Sequence, residues 1–178
     1  MHCDYDTERE FVSSNRYSDF DLIHDLQGKK GIESLRSSAL NIVHVSEKGK
    51  RLAETDYYYL VNDLPCISAR AMSVLEPVLL KYGEILKVNR EKRDLFLFNC
   101  TNIKKCLNET KSDIVYFPDG KKILAIRKFV INIHECNNDQ IIRLAQYPTG
   151  DLIVSEEFKD IVDNSELTGF GFDKIEMI

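Results

Sequence analysis

The chain has 178 residues, of which 43% are apolar and 30% charged, and it carries a net charge of -5. That is enough for one buried core and too little for two ordinary ones. The first ten residues lack the basic flank and apolar stretch of a secretory leader, and no apolar run approaches the roughly 20 residues of a membrane span, so a cytoplasmic protein without a membrane partner is expected.

Residues 1–55 carry weak periodicity and scattered turn formers, Ser13-Ser14-Asn15, Gly28-Lys29-Lys30-Gly31 and Ser37-Ser38, between short apolar pieces at Asp21–Leu26 and Leu40–Val45. They are expected to form an arm or lid packed on the core of residues 56–178, within one structural domain overall. From Tyr57 the pattern sharpens. Tyr57 to Val61 is β-prone and ends at Asn62-Asp63-Leu64-Pro65. Ser68 can cap a helix whose Met72, Leu75 and Leu79, with Ala71 and Val78, share one face, and Gly83 is its natural stop. Pro77 lies well inside this helix and predicts a kink or break near Ser73–Glu76.

Two strands follow, Glu84–Val88 and Asp94–Asn99, around the polar link Asn89-Arg90-Glu91-Lys92. In Leu95-Phe96-Leu97-Phe98 both alternating sets are apolar, which predicts a strand covered on both faces. A hairpin is predicted from Ile114–Phe117 through Pro118-Asp119-Gly120 to Lys121–Ile133, because proline presets the first turn residue and glycine takes the positive φ that follows. A further hairpin joins Gln140–Ala145 to Asp151–Val154 through Pro148-Thr149-Gly150. Ser155 then caps a short helix with Glu156 and Glu157 in its first turn and Phe158, Ile161 and Val162 facing inward. A last strand is expected over Gly169–Ile175. Strands joined by hairpins, with helices at intervals, define an α+β fold, a mostly antiparallel sheet with helices on one face.

The chain shows no G-x-S-x-G elbow, Walker loop, H-E-x-x-H or G-x-G-x-x-G. Gly169-Phe170-Gly171-Phe172 reads as a strand with close packing at its glycines. His134-Glu135-Cys136, with Cys100 and Cys106 at a distance, lacks the second pair of closely spaced ligands that a zinc site needs, and reads as a loop. Five cysteines, Cys3 included, are odd in number and form no CxxC pair, as expected of reduced structural thiols. Cys66, before a helix start, is open to two readings, an activated thiol or core packing. Lys121, Lys122, Arg127 and Lys128 form a basic patch on one hairpin. With Tyr57–Tyr59 as stacking surfaces the patch would suit a single-strand binder, whereas as sheet-edge lysines it guards against edge pairing.

Charge is unevenly distributed, net -4 over residues 1–80, +5 over 81–136 and -6 over 137–178. The acidic last third suits a basic partner and repels nucleic acid, or else its carboxylates simply solvate one face.

Leu64-Pro65-Cys66-Ile67-Ser68-Ala69-Arg70-Ala71, Leu75-Glu76-Pro77-Val78-Leu79, Gly83-Glu84-Ile85-Leu86 and Leu97-Phe98-Asn99-Cys100-Thr101, in that order, resemble the immunity-eleven family of bacterial polymorphic-toxin immunity proteins. So do Lys128-Phe129-Val130, Leu152 to Phe158 and Leu167 to Phe172, for a total span of about residues 56–176. The resemblance implies a non-enzymatic protein that binds and silences a cognate secreted or contact-delivered toxin in the cell that makes it, without a cofactor, catalytic residue or metal. Association with further copies of itself stays open. Asp151, Glu156, Glu157, Asp160 and Asp163 are the expected docking residues, since a toxin acting on nucleic acid would present a basic cleft. The rival expectations are a small cytosolic enzyme using Cys66 or the pair His134 and Cys136, and an adaptor or nucleic-acid binder using the basic hairpin.

Overall fold

In a computed structural model, the structure describes residues 1–3, 11–14, 26, 28–31, 42–45, 55–60, 64–90 and 93–178. The elements in chain order are β1 (His2–Cys3), β2 (Phe11–Ser14), β3 (Ile42–Val45), β4 (Tyr57–Leu60), β5 (Cys66–Ser68), α1 (Ala69–Tyr82), β6 (Gly83–Arg90) and β7 (Arg93–Cys100). They continue with β8 (Ile103–Lys104), β9 (Asp113–Tyr116), β10 (Ile123–Lys128), β11 (Val130–Ile131), a 3-10 turn at Ile133–Cys136, β12 (Ile141–Leu144), β13 (Ile153–Val154), α2 (Glu156–Asn164), β14 (Phe170–Gly171) and β15 (Glu176–Met177). This is an α+β fold in which antiparallel pairing dominates. The pairs β2–β4, β8–β12 and β11–β15 are parallel. Among the described residues, no helix is long and apolar enough to cross a membrane.

The largest sheet has the order β3-β2-β4-β5-β7-β6. Its first two strands come from residues 1–55, so that part of the chain extends the main sheet, and Ser13 and Ser14 lie within β2 rather than in a turn. Leu40–Val45 contains β3, whereas of Asp21–Leu26 only Leu26 is described. The turn formers Asn15, Ser37 and Ser38 lie outside the described residues.

The doubly apolar reading of β7 holds. Phe98 joins α1 residues Ala71, Met72, Leu75, Leu79 and Tyr82 and α2 residues Phe158 and Val162 in one cluster. Leu95 and Leu97 face the other way, against Leu26, Tyr58, Leu64, Cys66, Leu86 and Val88. Both helices therefore cover the same sheet face. Burial of each large apolar side chain is worth about 1.5–3 kcal/mol, so the helices are held by packing more than by their own propensity. A third cluster, Cys106, Leu107, Ile131, Cys136, Ile142 and Leu144, underlies the C-terminal hairpins.

On the second sheet face, Asn99 is fully buried. Its Oδ1 accepts from the Gly28 amide at 3.2 Å and its Nδ2 donates to Lys29 O at 2.7 Å, while Glu84 accepts from the Gly31 amide. A buried amide must be paired to be tolerated. Here it is paired with residues 28–31, which fixes that segment on the sheet.

Several expectations need correction. Helix α1 is continuous through Pro77, so of the expected kink or break the break does not occur. Ser73 and Pro77 are both exposed, so water can take the carbonyl that the missing proline donor would have bonded. Gly83 does end the helix, but with extended backbone. Its role is close approach, because a Cβ there would lie 2.2 Å from Asn99 O. The segment 121–133 is divided into β10 and β11, and the stretch 169–175 keeps only the two paired residues of β14, with β15 falling beyond it. Their partners, β1 and β11, are remote in sequence and set these lengths.

The elements meet at Asp56, which is only 5% exposed. Its carboxylate accepts from Ser68 Oγ at 2.7 Å, Arg70 Nη1 at 2.8 Å, and the Thr168 amide and hydroxyl at 3.0 and 3.3 Å. The Asp56 and Tyr57 amides donate to Thr168 O, and the Ser68 amide donates to Asp56 O. Arg70 Nη2 continues to Ser165 O and Glu166 O, just past α2. Replacing Asp56 by alanine removes a buried partner from four donors and is expected to cost about 3 kcal/mol or more. Urea denaturation measures this, and a loss below about 1 kcal/mol would contradict the assignment.

Candidate functional site

Helix α2 carries the acidic surface that the sequence points to. Ser155 Oγ accepts from the Phe158 amide, fixing the first turn. Phe158 and Val162 are buried and Ile161 half-buried, which leaves Glu156, Glu157, Asp160 and Asp163 exposed on the opposite side. A hydrogen bond with the Ser155 side chain holds the Glu157 carboxyl below its usual range. Lys159 pairs with Asp163 across one turn, and that contact raises the lysine pKa. Asp163 is therefore partly neutralised, and Glu156, Glu157 and Asp160 supply most of the free negative charge. The helix N-terminus favours the two leading glutamates through its dipole, so the helix and its surface charge reinforce each other.

Asp151 stands elsewhere. It lines a cleft of about 680 Å³ together with Ile126, Lys128, Ile153, Asp173 and Glu176, and its carboxylate lies close enough to influence the partly buried Met1 ammonium, which donates to Leu152 O. The cleft holds charges of both signs, with Lys128 and Glu176 paired at 2.8 Å. A second cleft of about 490 Å³ lies beside Asp56, Ser68, Arg70, Asp94 and Thr168. There the polar atoms of Asp56, Ser68 and Thr168 are engaged in the junction between elements.

The cysteine and histidine candidates occupy different surroundings. Cys66 is fully buried in the second sheet face. His134 is exposed on the 3-10 turn, whereas Cys136 is buried and donates from its thiol to Asn132 O. Burial pushes the Cys100 and Cys136 thiols up, and pushes Cys106, beside Cys136, up to about 12. Such thiols stay protonated at neutral pH and are poor nucleophiles. Among the described residues, no group of three or more His, Cys, Asp or Glu side chains is arranged to hold a metal ion.

The stacking surface expected at Tyr57–Tyr59 is not available at its first two members. Tyr57 and Tyr58 are buried on opposite faces of the sheet, and the Tyr59 side chain lies outside the described residues. Exposed aromatic rings occur instead at Tyr116 and Phe117, on the same hairpin as Lys121, Lys122, Arg127 and Lys128. The sequence signal for them was their position beside Pro118-Asp119-Gly120, since a residue at the tip of a hairpin has little to pack against. Comparison with protein-family models and with curated proteins found no match to this chain.

Because Cys66, Cys100, Cys106 and Cys136 are all buried, a Cys3→Ser variant at pH 8 is expected to react with a thiol reagent only as fast as it opens or unfolds. Mass-spectrometric mapping of labelled peptides checks this. One cysteine labelled in seconds without denaturant would contradict it.

Proposed function

We propose that this chain is a non-catalytic immunity protein that binds a cognate bacterial toxin domain and silences it by occlusion, with the exposed carboxylates of α2 as its docking face. The observation that carries this reading is the construction of that helix. Its apolar side is fixed in the core, its first turn is capped, and Glu156, Glu157 and Asp160 point away from the protein. A face that is already ordered before binding loses little conformational entropy on association. Clustered carboxylates speed encounter with a basic cleft and discourage acidic partners. The sequence resemblance over about residues 56–176 supplies the partner class.

In this reading the motifs that carry the resemblance have a structural task. Ser68 caps α1, Arg70 ties the end of α2 to Asp56, and Leu75 and Leu79 fill the core. Specificity is then left to side chains on the surface, where substitution costs little stability.

The test is co-expression with the toxin-like C-terminal domain of a secreted protein encoded immediately upstream, followed by binding kinetics on the purified pair. Wild-type chain is expected to restore growth. The double substitution Glu156→Lys and Asp160→Lys is expected to lower the association rate at low salt about tenfold or more, and the difference should shrink as salt rises. Unchanged rates would remove α2 from the interface, and failure of the wild-type chain to protect would overturn the immunity assignment.

A further inference from the structure

The hairpin of β9 and β10 is the opposite of α2 in both charge and chemistry. It forms a two-stranded sheet by itself, with Tyr116 opposite Ile123, Val115 opposite Ala125 and Ile114 opposite Ile126. Among the described residues neither strand has a second strand beside it, and on β10 the Tyr147 hydroxyl donates to Leu124 O at 3.4 Å. Its base is anchored, since Ile114, Ile123 and Ile126 pack on the third core cluster. Its turn is well made. Gly120 takes φ +66° and donates to Phe117 O, the Phe117 amide donates to Lys122 O, and Asp119 accepts from the Lys121 amide.

This well-ordered hairpin nevertheless exposes large apolar side chains. Tyr116, at the end of β9, and Phe117 beside it are 41% and 44% exposed, and Leu124 on β10 is 48% exposed. Single exposed apolar residues are normal, but adjacent ones rimmed by charge mark an interaction surface. The rim here is basic. Over residues 111–128 the chain has five cationic side chains against two carboxylates, in a protein whose total charge is -5. Lys121, Lys122 and Arg127 are exposed, whereas Lys128 is paired with Glu176.

We propose that the β9–β10 hairpin is the docking site for an extended acidic segment of a partner protein, which adds as a third strand beside β9. In this arrangement Tyr116 and Phe117 are apolar anchors, and Lys121, Lys122 and Arg127 face the partner's carboxylates. An open strand edge offers main-chain donors and acceptors that a peptide can match. A nucleic-acid strand would use only the rings and the positive charge, so the open edge favours a peptide. The lysines also act as a filter. They repel the same hairpin of a second copy, which suppresses edge-to-edge self-association, and they attract a strand carrying glutamate or aspartate. Guarding the edge and selecting a partner are thus one property of the same residues. The proposal goes beyond the toxin-docking reading, because it concerns a different element and a partner of the opposite charge.

The test uses the full chain and a short fluorescein-labelled peptide that alternates glutamate with valine and tyrosine. Its lysine-for-glutamate counterpart and a labelled oligothymidylate of similar length serve as comparisons. Fluorescence anisotropy is expected to show salt-sensitive binding of the acidic peptide, with amide NMR shifts concentrated in residues 113–128. The double variant Lys121→Glu and Lys122→Glu, and separately Phe117→Ser, should each weaken binding about tenfold or more. These side chains are exposed, so circular dichroism should show both variants folded. The proposal is overturned by absence of binding, by equal binding of the lysine peptide, by preference for oligothymidylate, or by affinity unchanged in both variants.

Discussion

The Asp56 carboxylate gathers three stretches of chain that are distant in sequence. It receives the hydroxyl of the α1 cap Ser68, the guanidinium of Arg70, and the amide and hydroxyl of Thr168. A carboxylate removed from water is costly unless its lone pairs are filled, and here four donors fill them. Gly169 completes the junction. Its φ of +82° turns the chain, and a Cβ at that position would come within 2.9 Å of Tyr57 O. The approach of the α2 C-terminal turn to the sheet therefore depends on one acid, one base and one glycine acting together.

This junction fixes α2, and a separate core cluster anchors the β9–β10 hairpin. Arg70 holds the carbonyls of Ser165 and Glu166, so α2 is fixed at its end as well as through Phe158 and Val162. At the other side of the molecule's third core cluster, the β9–β10 hairpin is held by isoleucines and leaves its tip exposed. Arg143, 1% exposed, adds a second buried link. Its guanidinium donates to Cys100 O and Pro148 O, and the Gly28 position lies against its side chain, which connects residues 28–31 to the C-terminal hairpin. Buried charge is paired within the fold, as at Asp56 and Arg143.

Local chemistry was legible in the sequence wherever it determined local geometry. Ser68 and Ser155 cap their helices, Pro118-Asp119-Gly120 makes the expected turn, and β7 is apolar on both faces. Features decided by partners far along the chain were not. Asp56 and Thr168 are 112 residues apart, and no periodicity links them. The short β14 and β15 depend on β1 and β11, so the single strand expected near the C-terminus became two brief pairings. Pro77 does not interrupt α1, because Ser73, whose carbonyl it leaves without a donor, lies on the exposed side of the helix. Glu156, Glu157, Asp160 and Asp163 share α2, but Asp151, which precedes β13, lines a cleft to which none of them contributes.

The α2 face proposed for docking is preformed, held on the core through the junction at Asp56. Native-state hydrogen exchange measures it most directly. The amides of Asp56, Tyr57, Ser68 and Thr168 are expected to exchange together, at the slow rate set by global unfolding, with the inner amides of α2 close behind. Exchange of the Thr168 and α2 amides at the rate of a fraying terminus, while β6 and β7 remain protected, would show that α2 is not held and would contradict the account.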